Sequence, residues 1–216
     1  MTEGAKLHHY ESPQARVTWD ATRCIHAAEC VRTVPQVFDP AAKPWIQPDK
    51  ADADAVADAV NRCPSGALRM EFADGTSAIA IPADNQGLIN ANGPTYLRGK
   101  LTLRQGEGEL EDTRIALCRC GASQHKPFCD NSHKKIGFKD AGTLLAHVAA
   151  PPDTDLSAPL TIRQNPNGPL VCTGPLTLHG TDGHTAFSDT TFLCRCGGSA
   201  NKPYCDGTHK KIGFKS

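Results

Sequence analysis

Two stretches of this chain repeat a single spacing of cysteine and histidine, and no other feature limits the fold as strongly. Residues 118–139 read CRCGASQHKPFCDNSHKKIGFK, and residues 194–215 read CRCGGSANKPYCDGTHKKIGFK. Each cysteine and the closing histidine keep their places, so Cys118, Cys120, Cys129 and His133 correspond to Cys194, Cys196, Cys205 and His209. The repeat reaches upstream, where Gly93–Leu103 matches Gly168–Leu178. Each unit is therefore about 50 residues long, the scale of one small module.

Modules of that size bury little apolar surface and need another source of stability. Only 39% of the 216 residues are hydrophobic, while there are 19 glycines and 16 prolines. Ten cysteines supply the missing crosslinks, as disulfides in an oxidising compartment or as metal ligands in a reducing one. The polar stretch Met1–Tyr10 has no apolar segment of the secretory kind, and no stretch approaches the roughly 20 apolar residues of a membrane span. The expectation is a cytoplasmic protein with reduced thiols, no membrane partner and no nucleic-acid partner. Formal charge is zero overall, but Met1–Asp84 carries 8 Lys+Arg against 12 Asp+Glu, and the remainder is basic.

The expected fold class is α+β: a small ferredoxin-like module followed by two β-rich units in a pseudo-two-fold arrangement. Domain boundaries are expected at 1–85, 86–147 and 148–216. In the repeats, Tyr96–Leu103 and Val171–Leu178 alternate as strands, and Ala116–Leu117 and Phe192–Leu193 lead into the first cysteine. Residues 146–159 hold three prolines and no periodicity, which reads as a linker. In the N-terminal part, Arg16–Asp20 reads as a strand. Asp49 starts a helix running to about Arg62, with Ala51, Ala55, Val56, Ala59 and Val60 on one face. Leu68–Phe72 and Ser77–Ile81 read as a hairpin around Asp74-Gly75.

Cysteines one residue apart can grip one metal ion, and a cysteine and histidine four apart can meet across one helical turn. Cys118 with Cys120 and Cys129 with His133 thus suit the two irons of a binuclear cluster, as do Cys194 with Cys196 and Cys205 with His209. The same ligands would also satisfy a tetrahedral Cys3His zinc site, although zinc modules favour cysteines two to four residues apart. Spacing alone leaves both open.

Both repeats resemble CDGSH iron–sulfur domains, the mitoNEET family, whose pattern ends in Cys-Asp-Gly-(Ser/Ala/Thr)-His. The second copy fits throughout; the first has Asn131 at the glycine position, where asparagine is the next most tolerant residue for positive φ. The resemblance implies a [2Fe–2S] cluster on each Cys3His set and a chain that pairs its two units internally as a monomer. Within the motif, Ser123 and Ser199 read as donors to sulfur and Asp130 and Asp206 as acceptors at the turn or caps of the following helix; Lys134, Lys135, Lys210 and Lys211 read as a basic face for a redox partner or an ordinary solvated patch.

Cys24-Ile-His26-Ala27-Ala-Glu-Cys30 with a distant Cys63-Pro64 resembles the divergent mono-cluster ferredoxins, with alanine at the middle cysteine position. Three thiolates suit a [3Fe–4S] cluster; a [4Fe–4S] cluster would need His26, hydroxide or a partner as the fourth ligand. Cys172 aligns with Leu97 and reads as core. His125, His147, His179 and His184 read as loop residues, and His8 and His9 as a flexible terminus. No catalytic constellation is visible, so the reading is an electron carrier rather than an enzyme, its partner a redox protein or an apo iron–sulfur acceptor; the alternative is a cluster carrier or redox and pH sensor.

A neutral imidazole in place of a thiolate makes a cluster less negative and easier to reduce, and allows a proton to accompany the electron. Replacing His133 and His209 by cysteine is expected to lower the potential, flatten its pH dependence and raise acid stability. Unchanged pH dependence and acid lability, measured by potentiometric titration and bleaching of visible absorbance, would contradict this.

Overall fold

The computed structural model describes residues 6–216, which form two compact units, one ending at Ala80 and the other spanning Ile81–Ser216. The second unit holds both CDGSH-like repeats, which exchange strand pairings. All ten cysteines are free, and no helix among the described residues is long and apolar enough to cross a membrane.

The first unit is built on an antiparallel sheet of β1 (Leu7–Glu11), β2 (Ala15–Asp20) and β3 (Leu68–Phe72), with β2 in the centre. Strict alternation sets its faces: Ala15, Val17, Leu68 and Met70 point into the core, while Arg16, Arg69 and Glu71 point out. Helix α2 (Ala53–Asn61) covers the inner face with Val56, Ala59 and Val60. A short α1 (Glu29–Thr33) carries Cys30 in its first turn.

Three expectations are corrected here. His8 and His9 lie in β1, paired with Trp19 and Thr18, so they are not a loose terminus. The helix begins at Ala53, after a separate 3-10 turn at Pro48–Lys50, and Ala55 faces solvent. Ser77–Ile81 makes one bridge, Glu71 to Ser77, in place of a second hairpin strand.

The second unit is a six-stranded sheet of β4 (Gln86–Ile89), β5 (Thr95–Gln105), β6 (Gly108–Leu117), β7 (Leu160–Gln164), β8 (Leu170–His179) and β9 (Thr185–Leu193). Within the first repeat β5 pairs antiparallel with β4 and β6; within the second, β8 pairs antiparallel with β7 and β9. Between repeats, β4 runs parallel to β8 and β7 runs parallel to β5. The short first strand of each repeat thus adds to the long strand of the other. Leu97, Leu103, Ile115, Leu117, Leu160, Ile162, Leu170 and Cys172, all under 2% exposed, fill one shared core. Cys172 sits there as the alignment with Leu97 implied, whereas His179 ends β8 instead of lying in a loop.

Asn85, just before β4, stitches the repeats together. Its amide donates to the carbonyls of Ala158 (2.8 Å) and Pro175 (2.9 Å), and its oxygen accepts from the Lys100 amide (2.9 Å). The Asn85 side chain is buried, so truncation leaves three backbone groups without their partner. Asn85→Ala is expected to cost roughly 2–3 kcal/mol in a denaturant melt; an unchanged midpoint would contradict this role.

Candidate iron–sulfur sites

Each ligand loop leaves the end of a long strand and is closed by two backbone hydrogen bonds across its neck. The Cys118 amide donates to the Pro127 carbonyl (2.8 Å) and the Cys129 amide to that of Ala116 (2.9 Å). In the second repeat, Cys194 donates to Pro203 (2.8 Å) and Cys205 to Phe192 (2.7 Å). The strands β6 and β9 therefore fix where the cysteines stand.

The sulfurs of Cys118 and Cys120 lie 3.7 Å apart, and those of Cys194 and Cys196 lie 3.8 Å apart. Cys129 Sγ is 3.5 Å from His133 Nδ1, so the ligands arrive as pairs and Nδ1 is the nitrogen that faces the site. Among the described residues no three His, Cys, Asp or Glu side chains gather as a single-ion site. The short helices α3 (Ser132–Lys135) and α4 (Thr208–Lys211) carry the histidines. Each begins after a left-handed residue, Asn131 at φ 69 and Gly207 at φ 84. Asparagine therefore takes the conformation that glycine takes in the other copy.

That conformation turns amides toward sulfur. Asn131 donates to Cys129 Sγ (3.4 Å), Gly207 to Cys205 Sγ (3.5 Å) and Gly198 to Cys196 Sγ (3.4 Å). Asp130 and Asp206 hold the turn from behind: Asp130 accepts from Gln124 (2.8 Å) and Ser132 (2.9 Å), Asp206 from Ala200 and Thr208 (both 2.9 Å). The amides of Thr208 and Ala200 hold the Asp206 carboxyl well below the usual range. Ser123 and Ser199 are a correction. Their hydroxyls donate to the carbonyls of Phe128 (2.6 Å) and Tyr204 (2.7 Å) and accept from the amides of His125 and Asn201, leaving no hydroxyl proton for sulfur.

Burial and crowding set the thiol chemistry. Cys129 is pushed up to about 11, first by burial. Cys118 is held down to about 6, chiefly because the Cys120 thiol donates to it, while its partner is pushed up as the proton holder. Burial also lowers His133, favouring the neutral ring that ligates metal. Cys120 and Cys129 therefore hold their thiol protons until a cation displaces them.

Two residues essential to this arrangement escaped the sequence reading. Arg119 and Arg195, between the first two cysteines of each set, are 2% exposed. Arg119 donates to the carbonyls of Gly93 (3.0 Å) and Asn90 (2.7 Å) and pairs with Asp140. Arg195 donates to the carbonyls of Gly168 (2.9 Å) and Asn165 (2.7 Å), to Gln164 (2.7 Å) and to Ser216 (2.9 Å). Phe138 and Phe214 lie against these guanidiniums.

The two loops touch reciprocally. Gly121, following Cys120, abuts the Cys196 backbone so closely that a Cβ would stand 2.4 Å from its carbonyl oxygen; a Cβ on Gly197 would stand 2.3 Å from that of Cys120. Lys126 reaches over Phe214 and Lys202 over Phe138.

In the first unit, Cys24, Cys30 and Cys63 line one cavity of about 640 Å³. Cys30 is pushed up to about 11 by burial and by the facing Cys63 and Cys24. His26 (φ 53) and Ala28 (φ 62) are both left-handed, the backbone form that turns successive amides inward to make anion and iron–sulfur nests.

Family models match here in the same places: "Divergent 4Fe-4S mono-cluster" over residues 10–71, and "Iron-binding zinc finger CDGSH type" over 92–134 and 167–210. The chain is a tandem CDGSH iron–sulfur protein with a divergent mono-cluster domain. It is also 37% identical over 60 residues, 28% of this chain and 79% of the relative, to the "Uncharacterized protein YjdI" of Escherichia coli K12, and equally to that of E. coli O157:H7. No solved structure matches. The residues of this CDGSH protein fit the clusters its family implies: thiolates and imidazole converge in pairs, with amides already directed at three of the sulfurs.

Lysine cannot replace the planar fork of Arg119. Arg119→Lys is expected to release the first CDGSH cluster before the second on heating, giving a biphasic loss of visible absorbance. A single phase at the original temperature would contradict this.

Proposed function

We propose that the protein carries electrons on two [2Fe–2S] clusters, one held by Cys118, Cys120, Cys129 and His133, the other by Cys194, Cys196, Cys205 and His209. A [3Fe–4S] cluster on Cys24, Cys30 and Cys63 completes the set, with [4Fe–4S] as the form a fourth ligand would permit. Bound there, the clusters supply one-electron chemistry; the chain supplies the ligands, excludes water and sets the proton on each imidazole.

The observation that carries this reading is the reciprocal contact of the ligand loops, Gly121 on Cys196 and Gly197 on Cys120. It supports a pseudo-two-fold pairing that needs no second chain, with two redox centres close enough to share an electron. Burial of Cys118, Cys129 and Cys194 supports retention of the clusters through redox cycling. The partner is a redox protein that meets the exposed lysines Lys134, Lys135, Lys210 and Lys211, and the setting is cytoplasmic.

A second reading, delivery of a cluster to an apo-protein, draws on the second site, whose Cys205 and His209 are less buried than Cys129 and His133. The test is repeated anaerobic reduction and reoxidation in the presence of apo-ferredoxin. Electron transfer is expected to leave the iron on this chain, with full recovery of the visible spectrum. Loss of [2Fe–2S] to the acceptor faster than its spontaneous decay would contradict that and favour delivery.

A further inference from the structure

The cavity at the first unit's cysteines is larger than a cluster requires. Even if each of a cubane's eight atoms took the share of a liquid water, about 30 Å³, the core would fill only about 240 Å³ of the 640 Å³ present. Ala27 lines the cavity with the three cysteines and stands where the loop's middle thiolate would be. The loop nevertheless keeps the wrapped shape, with left-handed His26 and Ala28 on either side of Ala27. Arg32 fixes it by donating to the Ala27 carbonyl (2.8 Å). Two non-glycine residues hold this conformation only where their surroundings enforce it. The loop is thus built around four positions on a cluster and furnishes three ligands.

The rest of the lining describes what could supply the fourth. Most of it is apolar, with Trp19, Trp45 and Tyr10 forming an aromatic wall. His26 also lines the cavity as an alternative nitrogen ligand; Glu29 is engaged by Arg32, and Lys43 presents an exposed ammonium. Soft thiolate is the ligand that iron–sulfur clusters select.

We propose that this cavity binds a low-molecular-weight thiol bearing a carboxylate, of the glutathione class. Its thiolate takes the position left open by Ala27, and Lys43 receives its carboxylate. This rests on the cluster reading of Cys24, Cys30 and Cys63 and extends it. Filling the fourth iron position takes one ferrous ion and one electron, which excess thiol supplies as two thiols join in a disulfide for every two clusters; the ligating thiol gives up its proton as its sulfur binds that iron. The bound thiol makes four-iron occupancy of this domain dependent on the cell's thiol pool.

The test uses the full-length chain, reconstituted anaerobically with iron and sulfide, with and without isotopically labelled glutathione, and then desalted. Retention of about one glutathione per chain, with one more iron than in the thiol-free sample, is expected. Ala27→Cys should hold the extra iron without glutathione and retain no label. Lys43→Glu should need roughly fivefold more glutathione for the same retention. Full iron without bound glutathione, equal label on Ala27→Cys, or loss of the extra iron in His26→Ala, which would make His26 the fourth ligand, would each overturn the proposal. Iron sufficient only for the CDGSH pair in every sample would instead remove the cluster reading of the N-terminal cysteines.

Discussion

The CDGSH unit depends on the close approach of two backbone segments, Cys120-Gly121 against Cys196-Gly197. No side chain larger than hydrogen fits at either glycine, so each ligand loop is pressed against its counterpart and cannot shift alone. The exchanged strands make that approach possible. With β4 on β8 and β7 on β5, the two repeats share one core, and β6 and β9 deliver their cysteines to neighbouring positions. The buried arginines then hold the loops from within, each tying its Cys-Arg-Cys segment to the turn between the first two strands of its own repeat.

Electrostatics explains why this scaffold awaits metal. Buried thiols resist ionisation, and neighbouring thiolates raise one another further. Cys118 escapes chiefly by taking a hydrogen bond from Cys120, with the amides of Ser123, Gly121 and Cys120 adding to it. A fold that brings such groups together without a cation bears the cost of desolvation and proton crowding. The backbone amides on Cys129, Cys196 and Cys205 offset part of it, and binding of iron would remove the rest. The same logic holds at Cys30, which faces Cys24 and Cys63.

Much of the site could be read from sequence because ligand spacing is local: four residues from Cys129 to His133 mean one helical turn in any fold. The equivalence of Asn131 and Gly207 was legible for the same reason, as was the core placement of Cys172 from its partner Leu97. The strand exchange was not, since parallel pairing between segments some sixty residues apart (β5 and β7) leaves no local pattern. Arg119 and Arg195 drew no reading because their acceptors lie 26 and 27 residues upstream. The serine hydroxyls were misassigned because a backbone carbonyl five residues on competes successfully with sulfur. Strand β1 was missed because its exposed, histidine-bearing sequence has no apolar alternation, and pairing with β2 holds it in place.

The central claim is that the paired Cys3His sets hold binuclear iron–sulfur clusters. Its most direct measurement is iron and acid-labile sulfide per chain, with visible absorption and electron paramagnetic resonance, on protein purified without oxygen. About four irons from the CDGSH pair are expected, with three or four more from the N-terminal cysteines, and the [2Fe–2S] signals should emerge only on reduction. A colourless protein holding one zinc at each Cys3His set would contradict it.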